Sequence, residues 1–447
     1  MGRSSAVRDS LRTQLWPLPT IGVVLAVTLG VALPELDARV ENDLPDSVTV
    51  YLFGGGAGAA RTMLDAIAGS LITVTSLTFS LTVVTLQLAS SQFSPRLLRT
   101  FSSDRFVHVT LSLFLATFAY ALTVLRTVRT ADDGQNSFVP QISVTVAFLL
   151  ALASVIGLVL FLGHLANMIR VETMLREVHT EASNTARRVL SERDRASAGG
   201  AVPLAPPADA VPLPAGSSGF LGSVGEGALL AAAVDADAVL TVDRHPGSSL
   251  VAGTPVGACW RRAGGAFDPD TRARLTERVA KALSTGSERT AAQDVAFGLR
   301  QLTDVATKAL SPGINDPTTA VHALSHSAAL LCELAGRDLG PRLLCDDQDQ
   351  VRVVLRRPDL ADLLDLAVAQ PRRYGAADPA VLTRLLLLLR EIAWTVELPG
   401  QRGAVTHQLG RLRATAAAQD FDLTERTALA SLAEQVERAL RGEWVPD

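Results

Sequence analysis

The sequence predicts a mainly α protein: a four-helix transmembrane region followed by a cytoplasmic α+β domain, in which a small β-containing segment joins a helical body. Three observations predict it. Four long uncharged runs all precede Arg170, and charge is dense after it. Hydrophobic residues make up 48% of the chain but aromatics only 5%, so the apolar mass is Leu, Val and Ala, which suits helices better than β-sandwiches. From Asp270 onward the pattern is almost entirely helical, whereas residues 219–267 mix short β-like runs with Gly-rich turns.

Residues 1–14 form a short N-terminal segment. The transmembrane domain, 15–169, holds four stretches that meet the requirement of ~20 apolar residues for crossing a bilayer. They run at about 15–33, 66–89, 106–125 and 142–169. A cleavable signal sequence is a poor reading of the first, because three further spans follow and no small-residue cleavage pattern is evident.

Loop charge sets the orientation. Arg3, Arg8 and Arg12 precede span one, Arg96, Arg99 and Arg105 lie between spans two and three, and Arg170, Arg176, Arg187 and Arg188 follow span four. The opposite loops carry Glu35, Asp37, Glu41, Asp43 and Asp46, then Asp132 and Asp133. Both termini are therefore expected in the cytoplasm, with the chain in the bacterial cytoplasmic (inner) membrane.

Span two is unlike the others. At ~100° per residue, Thr73, Ser76, Ser80, Gln87 and Ser91 share one face, and Thr75, Thr78, Thr82 and Thr85 lie roughly opposite. Two polar stripes place this helix inside the bundle, with protein or water on both sides. Packing explains them in one way, since small hydroxyl residues let helices approach and bond the preceding turn. A water-filled path explains them in another, because such paths can be built from neutral polar side chains with charge at the mouths. On that reading Thr73, Ser76, Ser80, Gln87 and Ser91 are candidate pore-lining residues, with Arg96 and Arg99 at the inner mouth. No ionisable group lies between Asp65 and Arg96, which argues against a proton relay. His108 and His164, near the ends of spans three and four, read as interfacial polar residues. The Gly54–Gly58 run lacks the context of a phosphate loop and reads as a flexible entry to a helix starting near Ala59.

After span four a helical extension is expected at 170–195, then a Pro/Ala-rich linker at 196–218. In the small segment, 219–267, Gly219–Val224 reads as a strand, Glu226–Val234 as a helix and Ala238–Arg244 as a β-rich run. His245–Gly257 follows as two short strands around tight turns, with the flavour of a small β-barrel or hammerhead module. The helical domain, 268–447, should hold helices at about 270–285, 288–310, 316–337, 358–370, 377–396, 402–418 and 423–441, with one strand at 350–355. Its most distinctive stretch, Gln293 to Ala320, sets Asp294, Arg300, Gln301, Asp304 and Lys308 along one helix and ends it in Ser-Pro-Gly-Ile-Asn-Asp-Pro. Asn315 or Asp316 is the natural N-cap of the next helix. Asp294, Arg300, Gln301, Asp304, Asn315 and Asp316 are the candidate cytoplasmic interface. His322 and His326 stand at i,i+4, a spacing that can bind metal, but no third ligand is evident and no metal is expected.

Several classes are excluded on composition. The net charge of −4 carries no nucleic-acid signature. Cys259, Cys332 and Cys345 are far apart, fitting a reduced compartment rather than a disulfide framework. No nucleophile elbow, kinase set, dinucleotide fingerprint or catalytic carboxylate pair is found, so neither an enzyme nor a cofactor is expected.

Two stretches, Ser70 to Phe101 and the motif from Asp294 to Ala320, resemble the bacterial membrane proteins grouped as domain of unknown function 2254. The resemblance covers most of the chain. It departs at Gly219–Val224, where a Gly-Tyr-Val-Gln-like start is expected. It implies a four-span membrane protein with a soluble C-terminal domain and supplies no reaction. Partners expected from the residues are the lipid bilayer, further copies of the chain in a homo-oligomer, and an ion or small solute. The polar stripe points to an oligomeric ion channel or passive pore with a cytoplasmic gating or sensing domain. The alternative is a membrane-anchored scaffold or signalling protein without transport.

Overall fold

The computed structural model describes residues 16–40, 52–92, 104–129, 138–168, 170–192, 205–444 and 446, with the side chains of 40, 88–92 and 168 set aside. The chain divides into two compact units, Met1–Arg170 and Val171–Asp447.

Among the described residues the first unit holds four long helices: α1 (Pro17–Val40), α2 (Ala57–Gln92), α3 (Arg105–Leu125) and α4 (Gln141–Met168). Each contains a stretch long and apolar enough to cross a membrane. Helix α3 is the central one, packing on α1, α2 and α4. Half of its span is buried, against 33% for α2 and 22% for α1 and α4, so the remaining apolar faces are left for lipid. Within one chain α2 is packed along one side, by α3 and α4, and its opposite face is uncovered.

Close contact between α1 and α3 comes from glycine. A Cβ on Gly22 would stand 2.2 Å from Ser112 Oγ, and one on Gly30 would stand 2.8 Å from Thr123 Cβ. Small residues at such crossings bring backbones together where no hydrophobic effect drives association. Tyr120 and Phe114, both fully buried on α3, fill the centre, and the Tyr120 hydroxyl donates to the Ser143 carbonyl at 3.1 Å. Asp37, expected in an acidic loop, instead lies buried near the end of α1. Its carboxylate accepts from the Ile142 and Ser143 amides at 2.9 Å each and from the Ser143 hydroxyl at 2.6 Å, capping α4 from another helix. Glu35, also expected there, lies exposed on α1, and Glu41, Asp43, Asp46, Asp132 and Asp133 lie outside the described residues.

The second unit opens with α5 (Val171–Val189), which packs on the helices that carry the distinctive stretch. Helices α4 and α5 are separate elements rather than one continuous extension. Strands β1 (Val211–Pro214), β2 (Gly219–Val224), β3 (Ala238–Val242), β4 (Ser249–Leu250) and β5 (Pro255–Arg261) follow, with α6 (Glu226–Asp235) between β2 and β3. Then come α7 (Pro269–Ala282), β6 (Leu283–Gly286), α8 (Phe297–Ala309), α9 (Pro317–Ala335), β7 (Arg342–Cys345) and β8 (Val351–Leu355). Four helices close the unit: α10 (Leu360–Tyr374), α11 (Pro379–Thr395), α12 (Pro399–Ala417) and α13 (Leu423–Leu440).

The β-containing part is not a barrel or hammerhead. It forms a five-stranded sheet in the order β1-β5-β3-β8-β7 and a three-stranded sheet in the order β4-β2-β6. All five residues of β3 are buried, and β3 runs parallel to β8 with Leu240 opposite Val353. Strands β6, β7 and β8 come from beyond residue 268, so both sheets draw on chain from each side of that point. Residues 211–214, expected in a linker, form the edge strand β1, where Pro212 and Pro214 are tolerated. The expected helix 270–285 stops at Ala282 because Leu283–Gly286 pairs with β2.

Candidate functional site

The two stripes of α2 have different fates. Thr75, Thr78, Thr82 and Thr85 are buried against the helices of their own unit. Thr73, Ser76, Ser80 and Gln87 are exposed along the opposite face. The sequence placed both stripes correctly on the helix but could not tell which one its own chain would cover. Three of the buried stripe bond their own helix: Thr75, Thr82 and Thr85 donate their hydroxyls to the carbonyls of Leu71, Thr78 and Leu81 at 2.6, 2.8 and 2.9 Å. On the exposed face Thr73 and Ser76 do the same to Gly69 and Ile72, at 3.0 and 2.9 Å. Gln87 differs in kind, because a primary amide carries more donors and acceptors than one turn of its own helix can satisfy. Ser91 lies where side chains are not described, and Arg96 and Arg99 lie outside the described residues.

Where spans three and four end, Asp104 accepts from the Phe106 amide at 2.8 Å, capping α3, and meets His164 Nε2 at 2.5 Å. His164 is thus a partner in a helix-end pair and stacks at a tilt on Phe106, with ring centroids 4.8 Å apart. His108 is buried on α3.

In the second unit the distinctive stretch folds as a helix–turn–helix, α8 to α9. Helix α8 starts at Phe297, later than the expected 288, because Asp294 organises the approach to it. The Asp294 carboxylate takes Arg289 Nε and Nη2 at 2.9 and 2.6 Å on one oxygen and the Ala296 amide at 3.1 Å on the other. Burial pushes this carboxyl above its ordinary range, against the pull of Arg289 and then of His245. Gly247, at φ +91°, closes over it: a Cβ there would come within 2.0 Å of Asp294 Oδ2. Gln301 is also buried, whereas Arg300, Asp304 and Lys308 are half-buried and engaged. Asp294 and Gln301 therefore serve the unit's own core.

The turn after α8 is built as its residues suggest. Asp316 caps α9, accepting from the Thr319 amide at 3.0 Å and its hydroxyl at 2.5 Å, and Pro317 follows in the first helical turn. Those two bonds, hydroxyl first, hold the Asp316 carboxyl below the usual aspartate range. Asn315 is exposed in the left-handed region at φ +49°, a conformation asparagine tolerates better than most residues.

Helix α5 braces this hairpin. Gly298 lets it approach, since a Cβ there would stand 2.3 Å from that of Ala182. Ser183 and Arg187 both bind Glu333 of α9, at 2.6 and 2.9 Å. His322 pairs with Glu172, and His326 sits 5.7 Å from His179 between ring centroids. Burial first, then His179, lowers the His326 pKa. Among the described residues no group of three or more His, Cys, Asp or Glu is arranged to hold a metal ion. These histidines thus line the α5–α9 contact.

A pairing that the sequence analysis missed lies beside Asp294. Glu226, at the start of α6, meets Arg357 at 3.2 Å and Arg342 at 3.9 Å, joining residues more than a hundred positions apart. Arginines that far away carry no local pattern.

Comparison with known proteins accords with this architecture. Two relatives are each 37% identical over 444 residues, covering 98% of this chain and 84% of theirs: "Uncharacterized protein Rv1290c" of Mycobacterium tuberculosis and "Uncharacterized protein Mb1321c" of Mycobacterium bovis. No solved structure matches the chain. The family described as "Predicted membrane protein (DUF2254)" matches residues 12–391, which include all four spans, both sheets and the α8–α9 hairpin. The chain belongs to that family of membrane proteins.

Proposed function

We propose that this membrane protein assembles from several copies into a passive pore of the bacterial cytoplasmic membrane. The Thr73–Ser76–Ser80–Gln87 face of α2 lines the path, and the second unit lies in the cytoplasm as gate or sensor. One observation carries this reading: of two polar stripes on one membrane helix, the chain buries one and leaves the other uncovered. Hydrocarbon offers nothing to the Gln87 amide, whereas water or a second copy satisfies it. Four spans seldom enclose a water path, so the uncovered face meets its equivalents around a shared axis.

A specific observation favours a second reading. Thr73 and Ser76 already bond their own helix, so the same face can pack dry between copies, giving a membrane-anchored scaffold without transport. Ion flux through liposomes holding the purified protein separates the two. The pore reading expects conductance that falls about tenfold or more when Ser80→Phe or Gln87→Leu replaces a polar position with bulk. Sealed proteoliposomes under every ionic condition leave the scaffold reading standing and end the pore.

A further inference from the structure

Beside the distinctive stretch, wholly within the second unit, is a cavity of about 420 Å³, a size within the range of small-molecule sites. Its lining is cationic. Arg188, Arg244, Arg342, Arg356 and Arg357 face it, against the two carboxylates Glu226 and Asp294. Asp294 is already held by Arg289, and Arg356 reaches Asp362 at 3.9 Å, so Glu226 is the lining carboxylate left for the other four.

The pairing does not balance. Glu226 is shared between Arg357 and Arg342, and Arg357 is nearly buried, with 13% of its side chain exposed. Desolvation pulls the Arg357 guanidinium below its ordinary pKa, Glu226 opposes that, and Arg342 adds to it. Guanidinium still does not lose its proton in a protein, so a crowded, desolvated charge calls for an anion. Among the described residues Arg188 donates to the Thr185 hydroxyl and the carbonyls of Ala291 and Ala292, and to no carboxylate. Arg244 stands exposed at the rim with no carboxylate partner among the described residues.

The frame is fixed where the charges converge. Gln293 accepts from the Val224 amide at 2.8 Å and donates to its carbonyl at 3.4 Å, pinning the start of α6 to the start of the distinctive stretch. Helix α6 is capped by Gly225, which has no side chain to satisfy the first-turn amides. Excess guanidinium, a helix start and a rigid wall are the components of oxyanion recognition. Val189, Val224 and Leu355 add apolar lining, and His245 contributes the one aromatic ring among the lining residues.

We propose that this cavity is a binding site for a small anion carrying two or more phosphate charges, held mainly by Arg188, Arg244 and Arg357. The phosphate comes either from a soluble compound or from a lipid headgroup. The site is independent of whether α2 lines a pore.

Calorimetric titration of the full-length protein in detergent with sodium pyrophosphate, at low salt, tests it. Saturable binding is expected, weakened about tenfold by Arg188→Gln or Arg244→Gln, since each removes a charge-assisted hydrogen bond to the anion. Arg244 is exposed, so Arg244→Gln should melt like the parent, whereas Arg188→Gln also gives up the bonds to Ala291 and Ala292 and its melting temperature is read alongside. Arg402→Gln, on the exposed side of α12, should bind unchanged. Displacement of pyrophosphate by short-chain phosphatidic acid assigns the phosphate to lipid; displacement by ADP alone assigns it to a soluble compound. No saturable heat at millimolar pyrophosphate, or binding that both Arg variants leave intact, overturns the proposal.

Discussion

At the scale of single residues, the chain spends its carboxylates on ends. Asp37, Asp104, Asp316, Asp359, Asp378 and Asp422 each hold the first turn of a helix, accepting backbone amides that the helix itself leaves unpaired. Asp316 and Pro317 were legible as a start signal because cap and helix are neighbours in the sequence. Asp37 was not, because the amides it caps lie 105 and 106 positions away and only the packing of α1 on α4 brings them together. The Arg342–Glu226–Arg357 group escaped for the same reason. Replacing Asp316 tests the local kind: Asp316→Ala should destabilise the second unit by about 1 kcal/mol and Asp316→Asn by less, read by equilibrium denaturation. Equal stability of Asp316→Ala and the parent would show the cap to be dispensable.

At the scale of elements, periodicity revealed the helices and missed what covers them. The four spans and the helices from α9 to α13 were readable because each has a long apolar face bounded by Asp, Gly or Pro. Strands β1, β6 and β7 were hidden, since four-residue edges gain their stability from partners rather than pattern. The α5–α9 contact yields a pH prediction. Neutral His326 sits against His179, with His322 and Glu172 on the same contact, and its folded pKa is lowered, chiefly by burial. A lowered folded pKa means that the unfolded chain binds the proton first. The contribution of His326 is therefore complete above the ordinary histidine value of ~6.5 and is lost as pH falls through the lower folded value. Amide exchange in α5 and α9 should quicken as pH drops below ~6.5, once corrected for intrinsic rates. His326→Gln should flatten that dependence. An unchanged profile in the variant would assign the effect elsewhere, with Glu172–His322 the next pair to test.

At the scale of the whole molecule, a membrane unit and a larger mixed unit share one chain, and the family match spans both. The four spans were legible because a bilayer imposes length and polarity on anything that crosses it. Activity was not, because neutral hydroxyls and amides serve equally as helix contact and as pore wall, and a sequence lists them without saying what stands opposite. The structure leaves the face of α2 that carries Thr73, Ser76, Ser80 and Gln87 uncovered by its own chain. Single cysteines placed along α2 and challenged with a membrane-impermeant charged thiol reagent in proteoliposomes, with Cys345→Ser as background, test that face most directly. Native Cys259 and Cys332 are suited to that background, since burial pushes both thiols up to about 11 and keeps them unreactive. The account predicts fast modification at 73, 76, 80 and 87 and none at 75, 78 and 82. Protection at all seven positions, or equal reaction on both stripes, would contradict it.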